Sequence, residues 1–172
     1  MLILAIDPGT RTSGVCLYQS DSRRVIWSCK ALDNKHALAL CRSNAPGFAA
    51  VAMNLTPTSD GWRGLFTVAV ERVQAQGIAG NDVMLTCEWS ARFLEAAESA
   101  GHAVRWHYRR EVCRHLDVVG ANKDAQVRAR AIELHGGDRK TAQGTKKEPG
   151  PLHGVAGHSW QALGLALLVG DV

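Results

Sequence analysis

Met1-Leu-Ile-Leu-Ala-Ile-Asp7-Pro8-Gly9-Thr10-Arg-Thr-Ser-Gly14-Val-Cys-Leu-Tyr18 opens the chain, and its reading decides the fold. Side chains alternate along a strand, so Leu2, Leu4 and Ile6 project to one face while Ile3, Ala5 and Asp7 project to the other. Both faces are apolar until the C-terminal end, the pattern of a strand covered on both sides. Asp7 sits at that end. Pro8-Gly9 turns the chain, because proline presets its own φ and glycine accepts positive values. Residues 15–18 then read as a returning antiparallel strand. A buried strand, a terminal carboxylate and a hairpin begin the protein.

Working outward, Val25-Ile-Trp-Ser-Cys29 predicts a third strand, reached through the polar turn at 20–24, and 35–40 a helix. The stretch 42–63 is rich in Asn, Pro, Gly and Ser with no sustained period and reads as mostly loop. Phe66-Thr-Val-Ala-Val-Glu71 is a second buried strand ending in an acid. A Gly-containing loop over 74–80 follows, then a helix capped by Asn81 whose apolar stripe is Val83, Cys87, Ala91 and Leu94, reaching Glu95, and which Gly101 stops. Residues 103–108 predict a fifth strand and 109–116 a short basic helix. Asn122 is positioned to cap a further helix that buries Val127, Ala131 and Leu134. The Gly-, Pro- and Lys-rich stretch 135–154 reads as a mobile loop, and 155–169 as a last helix. This order implies an α/β fold, a mixed five-stranded sheet flanked by helices, and 172 residues suit a single domain over 1–172.

Lys and Arg number 20 against 16 Asp and Glu, a net charge of +4 concentrated in the C-terminal half, which permits a polyanionic partner. The 5 cysteines are odd in number, widely spaced and without a Cys-x-x-Cys pair, so they read as buried thiols of a reducing compartment. No apolar run approaches bilayer-spanning length and no signal segment is evident. A cytoplasmic protein with no membrane partner is the expectation.

Chemistry enters through the two strand-terminal acids. A lone aspartate after a strand is commonly a turn former, but neighbouring strands would bring Asp7 and Glu71 together. Paired carboxylates repel, and a hard divalent cation such as Mg²⁺ or Mn²⁺ keeps both ionised. His158 and Gln161, at i and i+3 near the start of the last helix, share a face and offer further donors. Glu88, Asp117, Asp124 and Asp138 read instead as helix or turn charges outside this site.

Ile6-Asp-Pro-Gly-Thr-Arg-Thr-Ser-Gly14-Val15 resembles the first motif of RuvC-type Holliday junction resolvases, members of the RNase H-like (retroviral integrase) superfamily. Val70-Glu71 resembles the second acid of that family, Lys123-Asp-Ala-Gln-Val127 its Lys-rich helix start, and His158-Ser-Trp-Gln-Ala-Leu-Gly-Leu-Ala-Leu167 its final helix. Residues 86–93, 110–112, 123–125 and 154–160 are similar to a phage and prophage branch. The resemblance covers nearly the whole chain. It implies an RNase H-like fold and a homodimer that cuts opposed strands of a four-way DNA junction by metal-activated water. Asp7, Glu71 and His158 would be the catalytic residues, and Asp7, Glu71, His158 and Gln161 the positions holding Mg²⁺ or Mn²⁺. The family's closing aspartate falls on Gln161, so one charged ligand is missing.

Arg109, Arg110, Lys123, Arg128, Lys140, Lys146 and Lys147 are the candidates for contact with branched DNA through its phosphates. Two other readings stand beside the nuclease. One is a catalytically inactive RuvC-like module that binds branched DNA, motivated by Gln161. The other is a nucleotide-binding protein of the actin and sugar-kinase type, whose first phosphate loop also reads Asp-x-Gly-Thr. That fold needs a second phosphate loop, and no second Asp-x-Gly-Thr follows Thr10.

Overall fold

The computed structural model describes residues 1–43, 66–73, 80–121 and 123–171. Five strands, β1 (Leu2–Asp7), β2 (Thr12–Gln19), β3 (Arg24–Asp33), β4 (Thr67–Arg72) and β5 (Ala103–Tyr108), form one sheet in the order β3-β2-β1-β4-β5. The first three make an antiparallel meander, while β4 and β5 add parallel to β1. Parallel neighbours need a crossover, and the described helices α1 (Asn34–Arg42), α2 (Asn81–Ser99), α3 (Arg109–His115), α4 (Lys123–Leu134), α5 (Arg139–Gln143) and α6 (Ser159–Gly170) cover the two faces.

The alternation along β1 sorts the core into two layers. Ile3 and Ala5 join Cys16, Tyr18 and Ala69 beneath α3, α4 and α6. Leu4 and Ile6 join Val15, Leu17, Val68 and Val70 against Ala37, Leu40 and Cys41 of α1 and Phe93, Ala96 and Ala97 of α2. Helix α6 is apolar all round, and its residues from Ser159 to Val169 are buried, as such a helix must be. This is the expected mixed five-stranded sheet with flanking helices.

Several expectations shift in detail. The third strand is twice as long as the predicted segment, running over Arg24–Asp33, and the last helix begins at Ser159 rather than 155. Gly80, not Asn81, occupies the cap position of α2 and Asn81 is its first helical residue. The predicted stripe of α2 is also displaced: Cys87 and Ala91 are exposed, whereas Ser90, Phe93, Ala96 and Ala97 are buried. Only the C-terminal half of α2 lies on the sheet, where Phe93 provides bulk and the two alanines permit close approach. Cys87 is exposed and Cys29 half-buried, so the thiols are not uniformly in the core. The cap at Asn122 and most of the loops over 42–63 and 74–80 fall outside the described residues.

The largest correction concerns 135–154. This segment contains α5 and a bridge between Gly144 and Pro149, and it buries Ala142 and Leu152 completely. His135 Nδ1 donates to the Ala131 carbonyl at 2.8 Å, which leaves Nε2 to accept from the Tyr18 hydroxyl at 3.2 Å. The glycines that suggest disorder instead make tight turns. At Gly144, with φ of 64°, a Cβ would meet the Glu148 carbonyl oxygen at 2.2 Å, a conformation and a closeness that only glycine accepts. Leu152→Ala should therefore cost about 2–5 kcal/mol of stability in chemical denaturation; a loss near zero would show that this segment does not pack.

Candidate active site

Parallel pairing of β1 with β4 sets Ile6 opposite Val70, so the next residues on each strand, Asp7 and Glu71, lie side by side at the same sheet end. On the other side, Asp7 pairs with Gly14 of β2. The turn between β1 and β2 is pinned by Asn34, which is 1% exposed: its Nδ2 donates to the Gly9 carbonyl at 2.9 Å and its Oδ1 accepts from Ser13 Oγ at 2.7 Å. Periodicity gave no sign of this role. An asparagine at a strand-to-helix junction reads as an ordinary cap, and only the fold brings it to the turn.

His158 immediately precedes α6 and places Nδ1 3.6 Å from Asp7 Oδ2. Gly14 makes this approach possible, because a Cβ there would come within 2.5 Å of the His158 backbone. The His158 side chain is 77% exposed against 17% for Asp7, so the imidazole stands at the mouth and the carboxylate beneath it. Ser159 closes the turn, its hydroxyl accepting from Ala156 N–H at 3.0 Å and lying 2.7 Å from the Ala156 carbonyl. Gln161 is buried, and its Oε1 has no hydrogen-bond partner among the described residues.

Arg109 has a different place from the one its sequence position suggests. Its Nη1 donates to Glu71 Oε2 at 3.3 Å and its Nη2 pairs with Asp124. Asp124, set aside as a helix-end charge, thus belongs to the site. Burial drives the Asp7 carboxyl up from 3.8 to about 7, opposed by Arg109 and assisted by Asp124. Burial and then the charge of Asp7 raise Glu71 from 4.5 to about 7, again against Arg109. A desolvated carboxylate pair of this kind lacks positive charge, and one guanidinium shared with Asp124 does not make up the deficit.

Asp7 and Glu71 are hard oxygen donors of the type that hold Mg²⁺ or Mn²⁺ with water and phosphate completing the shell, while Gln161 lies one helical turn beyond His158. Among the described residues no group of three or more His, Cys, Asp and Glu forms a ready-made cage, so such a site would be open. Of the other expected contacts, Arg110, Lys123, Lys140, Lys146 and Lys147 are exposed. The Arg128 guanidinium lies 5.4 Å from the Trp160 ring centroid, packed against the start of α6. No described helix is long and apolar enough to cross a membrane.

No protein-family model matches the chain, and no curated protein does. Solved structures do. RuvC of T. thermophilus in complex with Holliday junction substrate is similar with a TM-score of 0.56 and 18% identity over 98% of this chain and 91% of that one. A Thermus thermophilus RuvC structure gives 0.57 and 18% over 98% and 92%. The fold is RNase H-like, of the RuvC type.

The raised carboxyl values carry a sign. Folding favours the protonated forms, so the stability these groups contribute is complete below pH 4 and is lost as pH rises through about 7. Without added metal, Asp7→Asn should melt several degrees above the wild type at pH 8 and converge with it near pH 4. A gap that does not change with pH would contradict the burial of this pair.

Proposed function

We propose that the protein is a metal-dependent, structure-selective endodeoxyribonuclease that resolves four-way and related branched DNA by paired nicks. The observation that carries this reading is the desolvated Asp7–Glu71 pair at adjacent strand ends, with His158 3.6 Å from Asp7. A divalent ion bound there would supply a water nucleophile at neutral pH and charge stabilisation at the leaving oxygen. Asp7 and Glu71 would hold the cation, and Gln161, one helical turn beyond His158, would offer an uncharged oxygen where the resemblance implies an acid. His158 is exposed at the mouth, 3.6 Å from Asp7, where its imidazole would act as the general acid or base of phosphodiester hydrolysis.

Lys123 and Arg110 are exposed beside the two ends of the Arg109–Asp124 link, and with Lys140, Lys146 and Lys147 they offer cations for the DNA backbone. The likeness to a RuvC solved with a Holliday junction supports branched DNA as the substrate. Paired nicks require two active sites. The first half of α2, with Met84 55% and Leu85 42% exposed, supports a homodimer that covers this apolar surface. The motifs at 123–125 and 154–160 support a place in the phage and prophage branch.

A second reading rests on Gln161, which is neutral and buried at the position of the family's closing aspartate. With one charge fewer, the chain would bind junctions without cutting them. The test is incubation of a synthetic four-way junction, a linear duplex and a flap with Mg²⁺ or Mn²⁺. The nuclease reading expects symmetric nicks in the junction alone, abolished by Asp7→Asn and by Glu71→Gln while junction binding persists. Full activity in either variant would remove the site, and tight binding without a cut in either metal would establish the binding module.

A further inference from the structure

On the face of the sheet covered by α2, the ends of β4 and β5 and the middle of α2 line a half-open pocket of about 630 Å³ bordered by Glu71, Arg72, Ser90, Leu94, Trp106 and Tyr108. Its volume falls within the roughly 300–1,000 Å³ of small-ligand pockets. Trp106 is 46% exposed on the edge strand, an unusual place for an indole, since an exposed aromatic on a sheet edge invites association. Trp106 and Tyr108 stand two residues apart and therefore on one face, with ring centroids 6.1 Å apart and nearly perpendicular. The Arg72 guanidinium lies 4.3 Å from the Trp106 centroid and 5.4 Å from that of Tyr108, and Arg110 lies 5.1 Å from Tyr108.

Among the described residues, no carboxylate lies within 4.0 Å of either guanidinium. The group therefore combines π surface with two guanidiniums that form no salt bridge within 4.0 Å among the described residues, although Arg110 also acts on the neighbouring Glu111 carboxylate. Aromatic faces that accept any base, bordered by arginines that accept phosphate, are what a single nucleic-acid strand requires. A protein surface of matching size would offer acids to the arginines but has no need of an open cavity. Glu71 and Arg72 are consecutive on β4, so they face opposite sides of the sheet at the same end. A strand passing the acids at that end is continuous with the cavity.

We infer that Trp106 and Tyr108, with Arg72 and Arg110, form a stacking site for an unpaired nucleotide of the DNA substrate. This inference rests on the nuclease reading for its ligand, and adds to it that unpaired bases are held on the α2 side of the sheet, in the pocket that Glu71 borders. Fluorescence anisotropy with a labelled 12-nucleotide single strand, a duplex of the same sequence and a four-way junction, without metal, separates the possibilities. Stacking of a base on an aromatic ring corresponds to roughly a tenfold or greater change in affinity. Trp106→Ala should weaken single-strand binding about tenfold and leave the duplex unchanged, whereas Trp106→Phe should retain most of it.

Equal single-strand affinity in wild type and Trp106→Ala would overturn the stacking site while leaving the nuclease reading in place. So would an equal loss on duplex, or a change in molecular mass on sedimentation, which would make the patch a protein interface. Absence of binding to every DNA by the wild type would overturn both readings together.

Discussion

Parallel pairing of β1 with β4 is the constraint on which the rest depends. It brings Asp7 and Glu71 to adjacent positions at one sheet end, and the two layers of helices remove both strands from water on each face. Buried like charges are unfavourable. Much of the local architecture manages that cost. Arg109 reaches across to Glu71 and Asp124, Asn34 fixes the turn after Asp7, and Gly14 lets His158 close over it.

Arg109 gives the site a built-in cation. Its guanidinium is shared between Glu71 and the exposed Asp124, so it compensates Glu71 incompletely and Asp7 only at a distance. The result is a pair of carboxyls with raised proton affinity. Any divalent ion would have to compete with protons near neutral pH, and Gln161, where the resemblance implies an acid, carries no charge.

Local patterns in the sequence expose much of this fold. Alternation in residues 2–7 identifies β1 and the two faces of the core, and 103–108 coincides with β5. The acids at strand ends could be read because strand period and turn chemistry both point to position 7, and Glu71 ends an apolar run. What could not be read depends on contacts remote in sequence. Asp124 pairs with Arg109, fifteen residues away, and helix-end acids carry no mark distinguishing that role. Asn34 acts on a turn 25 residues earlier. The stretch 135–154 misleads because glycine and proline serve tight packed turns as well as loose chain, and Leu152 and Ala142 are too few apolar residues to set a period.

The central claim is that the Asp7–Glu71 pair is a cation site, and equilibrium binding of Mn²⁺ followed by electron paramagnetic resonance, without DNA at pH 8, tests it most directly. The account predicts saturable binding by the wild type that weakens by at least about 10–100-fold, the loss typical even of outer-shell substitutions, in both Asp7→Asn and Glu71→Gln. Unchanged Mn²⁺ affinity in folded samples of either variant would contradict it.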